Sequence, residues 1–300
     1  NIFKNKFYMS HKAGFVSLVG KPNVGKSTLM NALVGEKLSI VTPKAQTTRH
    51  RILGIVNEPD SQIVFSDTPG VIKPVYGMQE SMMSFVNGSL VDADIILFVT
   101  DINEKYDEND VLEKLAKTTS PIAVVINKID KSNEDLVKEK ILYWEEKLKP
   151  QAIFAVSALH DHNVPAVMQF IMDNLPEHPA YYDKDTLTDR NERFFVSEII
   201  REKVFKLYDK EIPYSTEVII TAFKDEAKII RISSEIIVER DSQKNIIIGK
   251  AGEMLKKVGT YARKDMEEFL QKKVFLEMFV KVIPDWRNRK NYLKSFGYED

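Results

Sequence analysis

Through the first half of the chain, apolar runs of strand length alternate with stretches of helical period. Residues 15–19, 62–66, 94–99, 122–126 and 152–156 are continuous or nearly continuous apolar runs. Residues 27–34, 107–118 and 133–148 carry apolar positions three and four apart between polar ones. Strands that alternate with helices predict a mostly parallel sheet with helices on both faces. Residues 51–56 read as a further strand, joined to 62–66 through the turn Asn57-Glu58-Pro59-Asp60. That pair predicts a hairpin and one antiparallel strand at the sheet edge.

The order changes after residue 190. A helix is expected over 193–209, strands over 215–223 and 228–238, two helices within 247–270, and a strand over 274–282. Helix, two strands, two helices and a strand make a compact α+β unit. Before it, residues 175–188 hold two prolines, several charges and no period, which reads as a linker. The expected layout is residues 9–176 as an α/β domain, 177–190 as linker, 191–285 as the smaller α+β domain and 286–300 as a C-terminal tail or helix. Met9 reads as a natural start, making residues 1–8 a leader or expression remnant.

Composition narrows the class. The 300 residues are 43% hydrophobic and 29% charged, with 12 Gly and 12 Pro, which excludes collagenous and disordered chains. The absence of Cys removes disulfide scaffolds, Cys-zinc sites and thiol catalysis. The longest apolar runs fall far short of the ~20 residues of a membrane span. A soluble, cytoplasmic protein is the expectation. The net charge of −1 hides an asymmetry: residues 240–290 carry 13 Lys+Arg against 7 Asp+Glu. Such a stretch suits a polyanionic partner, and equally a solvated helix face.

Gly20-Lys21-Pro22-Asn23-Val24-Gly25-Lys26-Ser27 fits G-x-x-x-x-G-K-[ST] and stands between a strand and a helix that opens at Thr28. Glycines let backbone N–H groups turn toward phosphate oxygens, and the helix N-terminus adds its dipole. Lys26 would bridge the β- and γ-phosphates, and the Ser27 hydroxyl would hold Mg²⁺. The next strand ends in Asp67-Thr68-Pro69-Gly70, an acidic anchor for Mg²⁺ followed by an amide, at Gly70, that can meet the γ-phosphate. Asn127-Lys128-Ile129-Asp130 follows another strand. A carboxylate at Asp130 can accept both the ring N1–H and the exocyclic amine of guanine, whereas adenine would leave it unpaired. Lys128 would lie along the base, and Asn127 would tie this loop to the phosphate loop. Val156-Ser157-Ala158 closes a further strand, with the Ala158 amide placed to meet the guanine carbonyl. Four elements in this order point to GTP rather than ATP.

With these motifs in place, the chain resembles TRAFAC-class GTPases, and in particular the Era family of bacterial GTPases with a C-terminal type II KH domain. The resemblance runs from Met9 over almost the whole sequence. It implies that Lys44-Ala45-Gln46-Thr47-Thr48-Arg49-His50-Arg51 is the first switch, with Thr48, rather than Thr47, on Mg²⁺ in the GTP state and Thr42 a bystander. It implies that Lys26, Thr48 and Gly70 act in catalysis and that Asp67 to Gly70 open the second switch. In the second domain it implies that Gly249-Lys250-Ala251-Gly252 is the KH loop joining two helices, flanked by Lys244, Ile248, Lys256 and Lys257. Glycines there let the backbone approach the phosphates of about four nucleotides. Ala251 stands where relatives more often carry glycine, which should matter little.

The same resemblance implies GTP or GDP with Mg²⁺, binding to the 3′ end of 16S rRNA, a part in 30S subunit assembly, a monomer, and reported peripheral contact with the inner face of the membrane. Two positions qualify it. Val71 stands where Ras-like GTPases place a water-orienting Gln, so hydrolysis should be slow. Asn23 occupies the position at which K⁺-dependent relatives hold potassium, or else simply forms the turn.

The remaining features have plainer readings. His160-Asp161-His162 is a solvated turn, since no further ligands stand at coordinating spacing. Phe194, Phe195, Ile199, Val204 and Leu207 are core. Trp286, with Arg287, Arg289 and Lys290, either stacks on RNA, touches a membrane surface or packs in a terminal helix. A transferase using the phosphate loop and a passive RNA-binding module are the competing functions.

Overall fold

In a computed structural model, residues 11–104 and 110–299 are described. The expected leader at 1–8, the start at Met9 and the first residues of the helix expected over 107–118 lie outside them. The chain forms two compact units. Of the described residues, one comprises 11–39, 51–71, 85–104 and 110–189, and the other 40–50, 72–84 and 190–299.

The first unit is built on a six-stranded sheet in the order β2-β3-β1-β4-β5-β6. Its elements are β1 (Lys12–Val19), α1 (Lys26–Val34), β2 (Ile52–Glu58), β3 (Ser61–Asp67), the later part of α2 (Gly77–Asp92, of which 77–84 belong to the second unit), β4 (Ile95–Asp101), α3 (Asp110–Leu115), β5 (Ile122–Asn127), α4 (Glu134–Leu148), β6 (Ala152–Ala155) and α5 (Val164–Asn174). The strands are parallel except β2, which pairs antiparallel with β3 through the hairpin. β3 and β4 are almost wholly buried, which is why they read as unbroken apolar runs. Local signals set helix limits: Asn133 caps α4 by accepting from Leu136 N–H at 2.9 Å. Of the helices, α2 and α5 were not marked out by the sequence pattern; α5 buries Val164, Val167 and Ile171.

The segment 177–190, read as a linker, packs along the exposed edge of β2 up to residue 189. The N–H of Ile55 donates to Leu187 O at 2.8 Å and that of Leu53 to Asp189 Oδ1 at 3.1 Å. Buried Gln62 fixes it from the sheet: Oε1 accepts from Tyr181 and Tyr182 N–H, and Nε2 donates to Tyr182 O. Tyr181 and Tyr182 supply the apolar contacts, against Phe15 and the Leu53, Ile55 and Val64 cluster. The segment thus occupies backbone groups that an open edge would expose.

The second unit contains α6 (Glu192–Leu207), α7 (Ile212–Ser215), β7 (Glu217–Asp225), β8 (Ile229–Val238), α8 (Asp241–Ile248), α9 (Glu253–Leu270), β9 (Lys273–Val282) and α10 (Lys290–Ser295). Its sheet runs β7-β8-β9, antiparallel then parallel. Val258, Ala262 and Met266 of α9 and Val196, Ile200 and Val204 of α6 are buried in its core. The helix-strand-strand-helix-helix-strand order is that expected of a KH domain. Together the units are a mostly parallel α/β GTPase fold followed by a smaller α+β KH domain.

Candidate functional site

β1 ends at Val19 and α1 opens at Lys26, so the phosphate loop stands at the C-terminal edge of the parallel sheet. There the strands of an open α/β sheet present their ligands. Its conformation needs its sequence. Gly20 and Gly25 have φ of 158° and 99°, and Asn23 lies in the left-handed region at 64°. A Cβ at Gly20 would fall 2.1 Å from Val99 O, and one at Gly25 2.2 Å from Asn127 Nδ2. Asparagine adopts the left-handed region more readily than most residues, so Asn23 forms the turn. Lys26 is buried and folds back on the loop, its Nζ donating to Lys21 O at 2.8 Å and Gly20 O at 3.2 Å. Desolvation lowers its pKa to about 8 against the opposing pull of Asp67 and Glu104. Phosphate oxygens in this loop would supply the counter-charge that burial withholds.

Ser27 Oγ donates to Asp67 Oδ2 at 2.7 Å, joining the helix start to the end of β3. A hydroxyl and a carboxylate in contact are a hard-oxygen donor pair of the kind that Mg²⁺ shares with substrate phosphates and water, so these residues fit that ion. Thr68 donates to Leu18 O at 2.7 Å, and Val71 N–H to Gly20 O at 3.0 Å. A Cβ on Gly70 would lie 2.6 Å from Pro22 N and Cα. The start of the second switch therefore rests directly on the phosphate loop, and only glycine fits at that approach.

At the base end, Asn127 is buried and bridges two loops. Its Nδ2 donates to Val24 O at 2.9 Å, and its Oδ1 accepts from Ala158 N–H at 3.0 Å. Ala158, whose amide is expected to meet the guanine carbonyl, thus stands at the base end beside Asn127. Ser157 Oγ donates to Asp130 Oδ1 at 2.5 Å, and this bond lowers the Asp130 pKa. The carboxylate is held ionised and oriented. Lys128 has φ of 64°; its Nζ pairs with Asp101 Oδ2 at 2.7 Å and donates to Asn23 O.

Sequence reasoning missed Asp101 and Glu104. Asp101 closes β4 opposite Asn127 and steers Lys128 across the base slot. Glu104 accepts from Thr100 Oγ1 at 2.7 Å and pairs with Lys21 at 3.4 Å. The signal was available: like Asp67, Asp101 is an acid at the C-terminal end of a buried strand. His160, Asp161 and His162 form a turn in which Ser157 and His162 exchange backbone hydrogen bonds. His160 Nε2 stands 4.0 Å from Asp130 Oδ2.

Of the first-switch residues, Lys44 to His50 lie in the second unit and Arg51 in the first. Thr47 is occupied locally, donating to Lys44 O at 2.7 Å and meeting Thr42 Oγ1 at 2.6 Å. Thr48 is buried beside it. In the same unit α8 ends at Gly249 (φ 72°) and α9 begins after Gly252 (φ 79°). The two glycines serve different ends. A Cβ at Gly249 would press within 2.8 Å of Met254, whereas one at Gly252 meets nothing within 4 Å, leaving that position open to a ligand. Lys250, Lys256 and Lys257 are exposed and Lys244 and Ile248 half-buried around them. Ala251 has φ of 51°, so alanine there is strained and the substitution away from glycine is not neutral. Trp286 is fully buried, its Nε1 donating to Ser215 O at 3.0 Å, which leaves it a packing residue rather than a surface for RNA or membrane.

Comparisons with known proteins match this arrangement. Residues 15–128 match the family model of the 50S ribosome-binding GTPase and residues 211–287 that of the KH domain. GTPase Era of Geotalea daltonii is 45% identical over 290 residues, covering 96% of this chain and 98% of that protein. The chain belongs to the Era family of GTPases. GTPase Era of Alkaliphilus metalliredigens is 43% identical over 97% of this chain and 100% of its own length. An Era structure in complex with MgGDPNP and nucleotides 1506–1542 of 16S ribosomal RNA superposes with a TM-score of 0.93 at 41% identity, covering 97% of this chain and 100% of that one. An Aquifex aeolicus Era variant bound to GDP·AlF4⁻ gives 0.92, also at 41% identity, over 96% of this chain and 100% of its own.

Proposed function

We propose that this protein is a GTP-hydrolysing switch that binds the 3′ end of 16S rRNA through its KH domain and serves assembly of the 30S subunit in the cytoplasm. The observation that carries the nucleotide half is Asn127, whose one side chain joins the phosphate loop to the loop of Ser157 and Ala158 while Ser157 fixes the Asp130 carboxylate. An ionised acid held at that place pairs with the two donors of guanine and with none of adenine.

Lys26, Ser27, Thr28 and the loop amides from Lys21 to Gly25 hold the phosphates, and Ser27, Asp67 and Thr48 hold Mg²⁺. Thr48 takes this part on the strength of the resemblance to the family's first switch. Mg²⁺ neutralises charge on the β- and γ-phosphates when bound. The Gly70 amide meets the γ-phosphate as charge develops on it. Gly70 sits against Pro22, so a change at the γ-phosphate is passed directly to the second switch.

Val71 can orient no water, so intrinsic turnover is slow, and K⁺ beside Asn23 raises it. The RNA half is supported by the Era relative bound to 16S rRNA nucleotides and by the open loop at Gly252. Multiple-turnover hydrolysis in matched NaCl and KCl, for wild type and Asn23→Ala, tests the enzyme. We expect slow GTP turnover, faster in KCl for wild type only. Equal rates in both salts remove K⁺, and no turnover beyond one equivalent reduces the protein to a passive module.

A further inference from the structure

The last carbonyls of a helix have no partner within it and must be satisfied from elsewhere. At the end of α8, Asn245 O accepts from Gly249 N–H at 2.9 Å, and Ile247 O accepts from the Tyr208 hydroxyl at 2.7 Å. Tyr208 follows α6, its own N–H donating to Val204 O at 3.1 Å, and it is buried in the core of the second unit with Ile247 and Val258. The hydroxyl of a buried tyrosine requires a partner, and burial pushes its pKa up to about 12, so it stays a donor across the working pH range. A phenylalanine would fill the same space. What the oxygen adds is one bond, aimed at a carbonyl in the turn from which the chain leaves α8.

Just past that carbonyl the backbone takes a course that few residues allow. Gly249 has φ of 72° and ψ of 178°, a region open essentially to glycine alone. Ala251 and Gly252 are left-handed in turn, and Gly252 N–H donates back to Gly249 O at 3.2 Å. The loop is thus a closed turn hung from Gly249, and Gly249 is hung from the last turn of α8. Where Ile247 O is held decides how the loop presents its amides and the exposed Lys250.

We propose that Tyr208 is a positioning residue for RNA, its hydroxyl fixing the exit of α8 so that the loop 249–252 meets a phosphate backbone in a set geometry. The proposal rests on the reading of this loop as the RNA-binding loop. Without the hydroxyl, the Ile247 carbonyl finds a partner only in water, which means opening the last turn of α8 and freeing Gly249 from Asn245 O. RNA then binds only to the fraction of molecules that keep the turn closed, and its apparent affinity falls by that fraction.

The test measures affinity of the full chain for single-stranded RNA from the 16S 3′ end in wild type, Tyr208→Phe, Lys250→Ala, the double variant and Gly252→Asp, with amide hydrogen exchange of α8 and α9 read by NMR. We expect Tyr208→Phe to lose roughly three- to tenfold in RNA affinity, the worth of one hydrogen bond, with GTP affinity unchanged. Exchange at Gly249 N–H should quicken while the amides of Val258 and Ala262 hold, a split that a general loss of stability would not give. In the double variant the two losses should combine to less than their product, because Lys250 works through the loop that Tyr208 places. RNA affinity of Tyr208→Phe within about twofold of wild type, or exchange that quickens equally through α8 and α9, overturns the proposal. Gly252→Asp separates the two readings. If it weakens RNA and Tyr208→Phe does not, the role of Tyr208 alone fails; if it too binds as wild type does, the reading of the loop fails and the proposal falls with it.

Discussion

At the scale of single residues, burial decides what the ionisable groups can do. His50 is enclosed by Tyr298, stacked at 4.5 Å, and Phe194 at 5.8 Å. Desolvation lowers its pKa from 6.5 to about 4, with Glu217 and Glu198 opposing and Arg190 and Arg201 adding to the shift. The unfolded chain therefore binds a proton at His50 between about pH 6.5 and 4 that the folded protein refuses. Stability is full above that window and falls as pH drops through it, by up to ~3 kcal/mol at the lower end. Thermal melts of wild type and His50→Gln from pH 7.5 to 4 check this: the wild-type loss should be steeper, and parallel curves would remove His50 as the cause. None of this was legible beforehand. His50 looked like one more residue of a switch loop, because burial against Tyr298 and Phe194 is a long-range fact that local pattern does not carry.

At the scale of elements, the α8-loop-α9 turn is where sequence and backbone can be tested together. Gly252→Asp puts a side chain into open space at a left-handed φ, costing on the order of 1 kcal/mol in strain while leaving the packing of α9 intact. Its carboxylate would meet the phosphates that the loop is open to. Affinity for single-stranded RNA from the 16S 3′ end should fall roughly tenfold or more, ~1.4 kcal/mol, with GTP binding unchanged. Lys250→Ala should flatten the log affinity against log salt slope by about 0.7, the share of one phosphate. Filter binding with circular dichroism reads both, and a folded Gly252→Asp protein that binds RNA like wild type would strip the loop of this role. The elements themselves were largely legible, since buried parallel strands must be apolar throughout and α9 repeats its buried positions every fourth residue. The edge segment up to residue 189 was not. Its prolines and charges look like a linker, and only Gln62, distant in sequence, turns it into a strip laid on β2.

For the molecule as a whole, the central claim is that guanine nucleotides are read by Asp130 in a site assembled from the ends of β1, β3, β4, β5 and β6. The motifs at those strand ends were legible because phosphate and base chemistry dictates residue type at fixed places. Of their supports, Asp101 carried the same signal as Asp67, an acid closing a buried strand, whereas Glu104 carried none, because only the fold brings it to Lys21. Competition binding of GTP, ATP and xanthosine triphosphate to wild type and Asp130→Asn measures the claim directly. The substituted amide keeps an oxygen for Ser157 but offers donors where the carboxylate accepted. The account predicts that wild type prefers GTP, and that the variant loses roughly 10- to 100-fold in GTP affinity while gaining xanthosine triphosphate, whose edge presents an acceptor in place of the amine. A variant that still prefers GTP as wild type does would contradict it.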